Sequence, residues 1–95
     1  MSGDMRVSDS IHKKLDLALK PDWLEVTDES HLHAGHAGAR EGGESHFRLL
    51  IVAKAFEGMN RVARQRMVNE ILREELQGPI HALAMKTLTP EEAAA

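Results

Sequence analysis

The sequence predicts an α+β domain in which a three-stranded sheet carries its helices on one face. Three observations point there. Apolar residues switch from helical spacing to alternation and back, in the order helix, strand, strand, helix, strand. The chain has 95 residues, with no internal repeat and no linker composition, which suits a single domain over 1–95. Its 42% hydrophobic and 28% charged residues are globular rather than disordered composition.

Ile11, Leu15, Ala18 and Leu19 recur at helical spacing, so residues 9–20 read as an amphipathic helix. Ser8 or Asp9 can cap its start, and Pro21 ends it by excluding the helical conformation from the residue before. Leu24 and Val26 alternate with Glu25 and Thr27, a short half-buried strand. Residues 28–45 have no apolar period and hold Gly35, Gly38, Gly42 and Gly43, so they read as a long loop. Hairpin loops are usually two to five residues, and a loop this long suggests function.

Residues 46–54, HFRLLIVAK, are the strongest strand. Phe47, Leu49, Ile51 and Ala53 share one face and His46, Arg48, Leu50 and Val52 the other, which suits a central position. Phe56-Glu57-Gly58 breaks the pattern. Asn60 opens a helix to about Gln77 with Val68, Ile71, Leu72 and Leu76 as its stripe, and Gly78-Pro79 stops it. Residues 80–88 are the third strand. The ordered core is expected over about 8–89, with 90–95 a frayed tail.

Composition narrows the chemistry. A formal charge of −3 gives no general attraction to phosphate backbones. With no cysteine, the chain can form no disulfide and cannot hold a thiolate-ligated cluster alone. The longest apolar run, 49–53, is far short of a membrane span, and MSGDMRVSDS has no signal-peptide stretch. A soluble cytoplasmic protein with no membrane partner is the expectation.

Four of the six histidines fall in HLHAGHAGAREGGESHF, residues 31–47. His31, His33 and His36 follow an HxHxxH spacing that a glycine-rich loop could fold around one ion; solvated loop histidines would look the same. His46 opens a strand, where hydrogen bonding across the loop base is expected rather than ligation. His81 lies in the apolar strand IHALAM. It reads as a core histidine, but one held rigidly enough to be a good ligand. His12 falls on the polar side of the first helix. Ser30 and Ser45 lie near histidines without a strained turn to present them, so a hydrolase is not supported and no enzyme activity is expected.

Arg61, Arg64 and Arg66 cluster at the start of the long helix. They either pair with carboxylates past the sheet edge or form a basic contact surface for a partner or nucleic acid. Gly35-His36-Ala37-Gly38 spells the GxxG backbone clamp of KH domains, but that clamp joins two helices and these letters lie between strands.

Together, DESHLHAGH, GESHF, FEGMNRVARQRMVNEIL and IHALAMKTLTPEE, behind the first helix, resemble the BolA family from about residue 11 to 92. The resemblance implies an αββαβ domain similar to class II KH domains, with an extra helical turn near 56–60. It also implies a monothiol glutaredoxin as partner and a shared [2Fe–2S] cluster. On that pattern the glutaredoxin brings a cysteine, bound glutathione a second thiolate, and the BolA-like side two residues. The HAL motif puts one ligand on His81, and the residue after ESxx puts the other on His33. The longer AGHAGAREGGESHF adds His36, which can substitute for His33; the family's RHR is RQR here, with Gln65. No cluster is expected on the isolated chain. The resemblance further implies a role in iron–sulfur cluster assembly or trafficking or in iron homeostasis, with nucleic-acid-binding transcription regulation as the alternative. A free-standing site on His31, His33 and His36 is a third.

Overall fold

A computed structural model describes residues 6–29 and 46–95. The elements are α1 (Val7–Leu19), β1 (Trp23–Asp28), β2 (His46–Val52), a 3-10 turn (Lys54–Phe56), α2 (Arg61–Ile71), α3 (Arg73–Gln77), β3 (Ala82–Leu88) and α4 (Pro90–Ala94). The sheet order is β1-β2-β3, with β1 antiparallel and β3 parallel to the central β2. The α+β class with a three-stranded sheet therefore stands.

The inward face of β2 presents Phe47, Leu49 and Ile51, all buried, to Ile11, Leu15 and Leu19 of α1 and to Val68 and Leu72. On the other face Arg48 is exposed and Leu50 half-buried, and Val52, though buried, is not part of the core cluster, which lies on the Phe47 side of the sheet. In α1 the buried residues recur every four positions; Ala18, expected on the same stripe, is exposed. The helix starts two residues earlier than expected. Arg6 is extended, and Asp9, at the third helical position, accepts from the Arg6 N–H at 3.4 Å. It ends where expected: Lys20, before Pro21, takes φ 46° and donates its N–H to the Asp16 carbonyl.

The strand predicted over 46–54 stops at Val52. The Ala53 N–H still reaches the Leu88 carbonyl (2.9 Å), and the chain then turns to bury Phe56 completely. This turn lies just before the position the resemblance implies. Gly58, at φ 80°, takes a backbone conformation that a Cβ disfavours. Asn60 caps α2, its side chain accepting from the Ala63 N–H at 2.8 Å.

The long helix expected over 60–77 breaks at Leu72, whose φ −100° and ψ 21° leave the helical region. Beyond the break, Glu75 turns toward α1. Ser10 Oγ donates to Glu75 Oε2 at 2.6 Å, and Lys14 Nζ lies 2.8 Å from Glu75 Oε2 and 2.9 Å from Glu74 Oε1. Burial pushes the Glu75 carboxyl up, but Lys14 and Ser10 outweigh it and hold it below its usual value.

The C-terminal segment is a helix, not a frayed tail. Thr89-Pro90-Glu91-Glu92 is a reciprocal cap: Thr89 Oγ1 accepts from the Glu92 N–H (3.1 Å) and Glu92 Oε1 from the Thr89 N–H (2.9 Å). The same carboxylate receives Arg64 through Nη1 at 2.7 Å and Nη2 at 3.2 Å. Arg64, more than the cap, lowers the Glu92 carboxyl from 4.5 to about 2. A depressed carboxyl stabilises the fold fully above its unfolded value and less as pH falls. Acid unfolding is therefore expected to draw on this pair between about 4.5 and about 2. Glu92→Gln should flatten the stability curve in that window, as read by urea melts at successive pH values. A curve as steep as the parent's would mean the pair contributes nothing.

Among the described residues no helix is long and apolar enough to cross a membrane.

Candidate metal centre

Strand direction decides which side chains share an end of the sheet. β1 ends at Asp28 where β2 begins, because the two are antiparallel; β3 begins at that same end, because it is parallel to β2. The Glu29 N–H donates to the His46 carbonyl at 2.8 Å, one rung past the paired strands. Glu29 and His46, the described residues on either side of 30–45, therefore meet at this end of the sheet. Arg48 Nε donates to Glu29 Oε2 at 2.8 Å and braces the same rung.

His81 stands at this end but not as expected. The third strand begins at Ala82 rather than at residue 80; Ile80 is buried, with its N–H on the Glu75 carbonyl at 3.0 Å, and His81 is an exposed bend between them. It is therefore not a core histidine. Ala82 is the register partner of His46, so strict alternation would put His81 on the opposite face of the sheet. The bend removes it from that alternation. Its ring lies 6.2 Å from that of half-buried His46, centroid to centroid, with the planes at 35°. This pairing was not foreseen, because it depends on where β3 begins.

His31, His33 and His36 lie outside the described residues, as does the GxxG of 35–38. Among the described residues no group of three His, Cys, Asp or Glu side chains is arranged to hold a metal ion. Among the described residues the donors at this end of the sheet are the imidazole nitrogens of His46 and His81, and the chain has no cysteine. That set fits half of a cluster site whose thiolates come from elsewhere.

Arg64 lies at the other end, with Arg61 beside it. Arg64 Nη1 donates to the Thr87 carbonyl (3.0 Å) and Nε to the Met59 carbonyl (2.9 Å), and the guanidinium lies 5.8 Å from the Phe56 ring centre. It pairs with Glu92 at the surface, the Arg64 side chain being 11% exposed and that of Glu92 47%. Arg61 and Arg66 are exposed. A seven-residue strand separates Thr87 from His81 by about 20 Å, so the two candidate sites are distinct. Glu92, the partner of Arg64, falls in the segment expected to be a frayed tail; the signal that marks it is TPEE, the S/T-x-x-E capping signature.

The family model described as BolA-like protein matches residues 15–92. A Sinorhizobium sp protein named for its place in the cobS 5′ region is 48% identical over 89 residues, 93% of this chain and 96% of its own. BolA-like protein 1 of Mus musculus is 46% identical over 86 residues, 90% of this chain but 60% of the mouse protein. The DNA-binding transcriptional regulator BolA of Vibrio cholerae is 42% identical over 86 residues, 90% of this chain and 77% of that protein. Among solved structures, the BolA domain of SufE1 from Arabidopsis thaliana matches with a TM-score of 0.80 at 42% identity, covering 90% of this chain and 93% of that one. Yeast Fra2 matches with a TM-score of 0.64 at 27% identity, covering 92% and 83%.

Proposed function

This chain belongs to the BolA-like protein family, and on that premise we infer that it is a non-enzymatic partner of a monothiol glutaredoxin. The pair shares a [2Fe–2S] cluster in iron–sulfur cluster trafficking or iron homeostasis, in the cytoplasm. His81 is the anchoring ligand. His33 is the second, with His36 or His31 able to take its place. The partner's cysteine and glutathione supply the thiolates this chain lacks. The observation that carries the reading is the position of His81: exposed, ahead of β3, at the end of the sheet where Glu29 and His46 meet.

What the chain's own residues contribute is placement. The buried Ile80 fixes the backbone before His81, and the β2–β3 ladder fixes it after. The Glu29–His46 rung joins the residues on either side of the segment bearing His33. When bound, the cluster supplies electron-transfer or iron-donating chemistry, and imidazole nitrogens in place of thiolates raise its potential.

The test is to mix this chain with a cluster-loaded glutaredoxin homodimer. The expected outcome is a heterodimer with an altered visible circular dichroism spectrum. A spectrum that remains that of the homodimer at excess chain defeats the proposal.

A second reading, a nucleic-acid-binding regulator, is favoured by exposed Arg61 and Arg66 and by the name of the Vibrio relative. The net charge of −3 and the pairing of Arg64 with Glu92 weigh against it. Binding to duplex or single-stranded DNA, followed by fluorescence anisotropy at about 150 mM salt, is expected to be weaker than micromolar. Submicromolar binding lost in Arg61→Ala with Arg66→Ala would put this reading first.

A further inference from the structure

His46 and His81 are neighbours in a way that the shared-cluster reading does not use. Their ring centroids are 6.2 Å apart and the planes are tilted by 35°. A zinc–imidazole bond of about 2.05 Å puts the ion about 3.2 Å from each ring centre. Two such ligands have centroids about 5.2 Å apart at a tetrahedral angle and about 6.4 Å apart when opposed. The observed separation lies between these limits. Among the described residues His81 is exposed, which leaves its side chain room to swing toward the tetrahedral geometry. His46 is half-buried at the first position of the central strand, which holds the other ring still.

From this we propose that His46 and His81 form a zinc site in the free chain, with water filling the remaining positions. Imidazole is a good ligand for this ion, and the chain offers no thiolate to draw it elsewhere. Glu29, the nearby carboxylate on β1's side, is already held by Arg48 at 2.8 Å and is not needed. The site differs from the shared-cluster arrangement in its second ligand, which is His46 rather than a residue of 30–45. Because His81 belongs to both, zinc and a shared cluster exclude one another.

The test is a titration of zinc chloride into the isolated chain, followed by calorimetry and by the imidazole nitrogen shifts of His46 and His81. One ion per chain is expected, with both rings shifting. His46→Ala, His46→Gln and His81→Ala should each weaken binding at least about tenfold. The triple variant His31→Ala, His33→Ala, His36→Ala should bind as the parent does. His46→Gln keeps a polar group on the strand, so it carries the test if His46→Ala loses its fold. Unchanged affinity in His46→Gln, or loss of binding in the triple variant, overturns the proposal. No glutaredoxin is present, so this result and the failure of the shared-cluster reading are separately visible.

Discussion

In a His81→Ala variant, the visible circular dichroism of the glutaredoxin mixture is expected to stay that of the homodimer at any excess of this chain. On the proposed assignment the loss should be complete, because the backbone of His81 is fixed on both sides, by buried Ile80 and by the β3 ladder. The fold should survive, because an exposed side chain at a bend leaves no cavity when truncated. A thermal melt close to that of the parent separates a lost ligand from a lost structure. His33→Ala should weaken the altered spectrum less, since His36 lies three residues on in the sequence. The double change His33→Ala with His36→Ala should then match His81→Ala. An altered spectrum that persists in His81→Ala removes this residue from the site.

Phe56→Ala is expected to cost about 3–5 kcal/mol, the range for deleting a fully buried aromatic ring. Phe56 has no solvent exposure and is one of only two phenylalanines in the chain. It also lies under Arg64, whose guanidinium would lose the ring face while keeping Glu92. Against a typical stability of about 5–15 kcal/mol, the variant sits near the edge of folding. Val62→Ala, at a position 55% exposed, should change little and serves as the control. Urea midpoints of the two variants decide it; a shift for Phe56→Ala no larger than that for Val62→Ala would show that the turn at Lys54–Phe56 is not part of the core.

The sequence and the structure agree where burial is one-sided and regular. Ile11, Leu15 and Leu19 announce α1, and the apolar face of 47–51 announces a central strand, because each pattern has one solution that hides it. They part where a tertiary contact sets the outcome. Leu72 keeps its place on the apolar stripe yet leaves the helical conformation, and Glu75 beyond it meets Ser10 and Lys14, residues more than sixty positions away. His81 looks like strand by composition, but β3 pairs with β2 only from Ala82 onward. Pro90-Glu91-Glu92 looked like a tail because a five-residue helix has almost no periodicity to read; its cap and Arg64 hold it. Of the candidate site, the end of the sheet and His81 are seen directly, while His31, His33 and His36 fall outside the described residues.

The parallel pairing of β2 with β3 has a kinetic consequence. Each rung joins residues 36 positions apart, as His46 with Ala82 and Val52 with Leu88. The ladder cannot begin until the 3-10 turn, α2 and α3 have carried the chain back along the sheet, because a parallel strand cannot follow its neighbour through a tight turn. The entropy of closing that excursion is met before any β2–β3 hydrogen bond forms. β3 should therefore dock late, and His81 with it. In stopped-flow refolding, truncations in β3 such as Leu83→Ala should speed unfolding more than they slow folding, and the reverse would place β3 in the folding nucleus. His81 would then come into place late, so an unfinished chain would lack this histidine to engage a partner's metal.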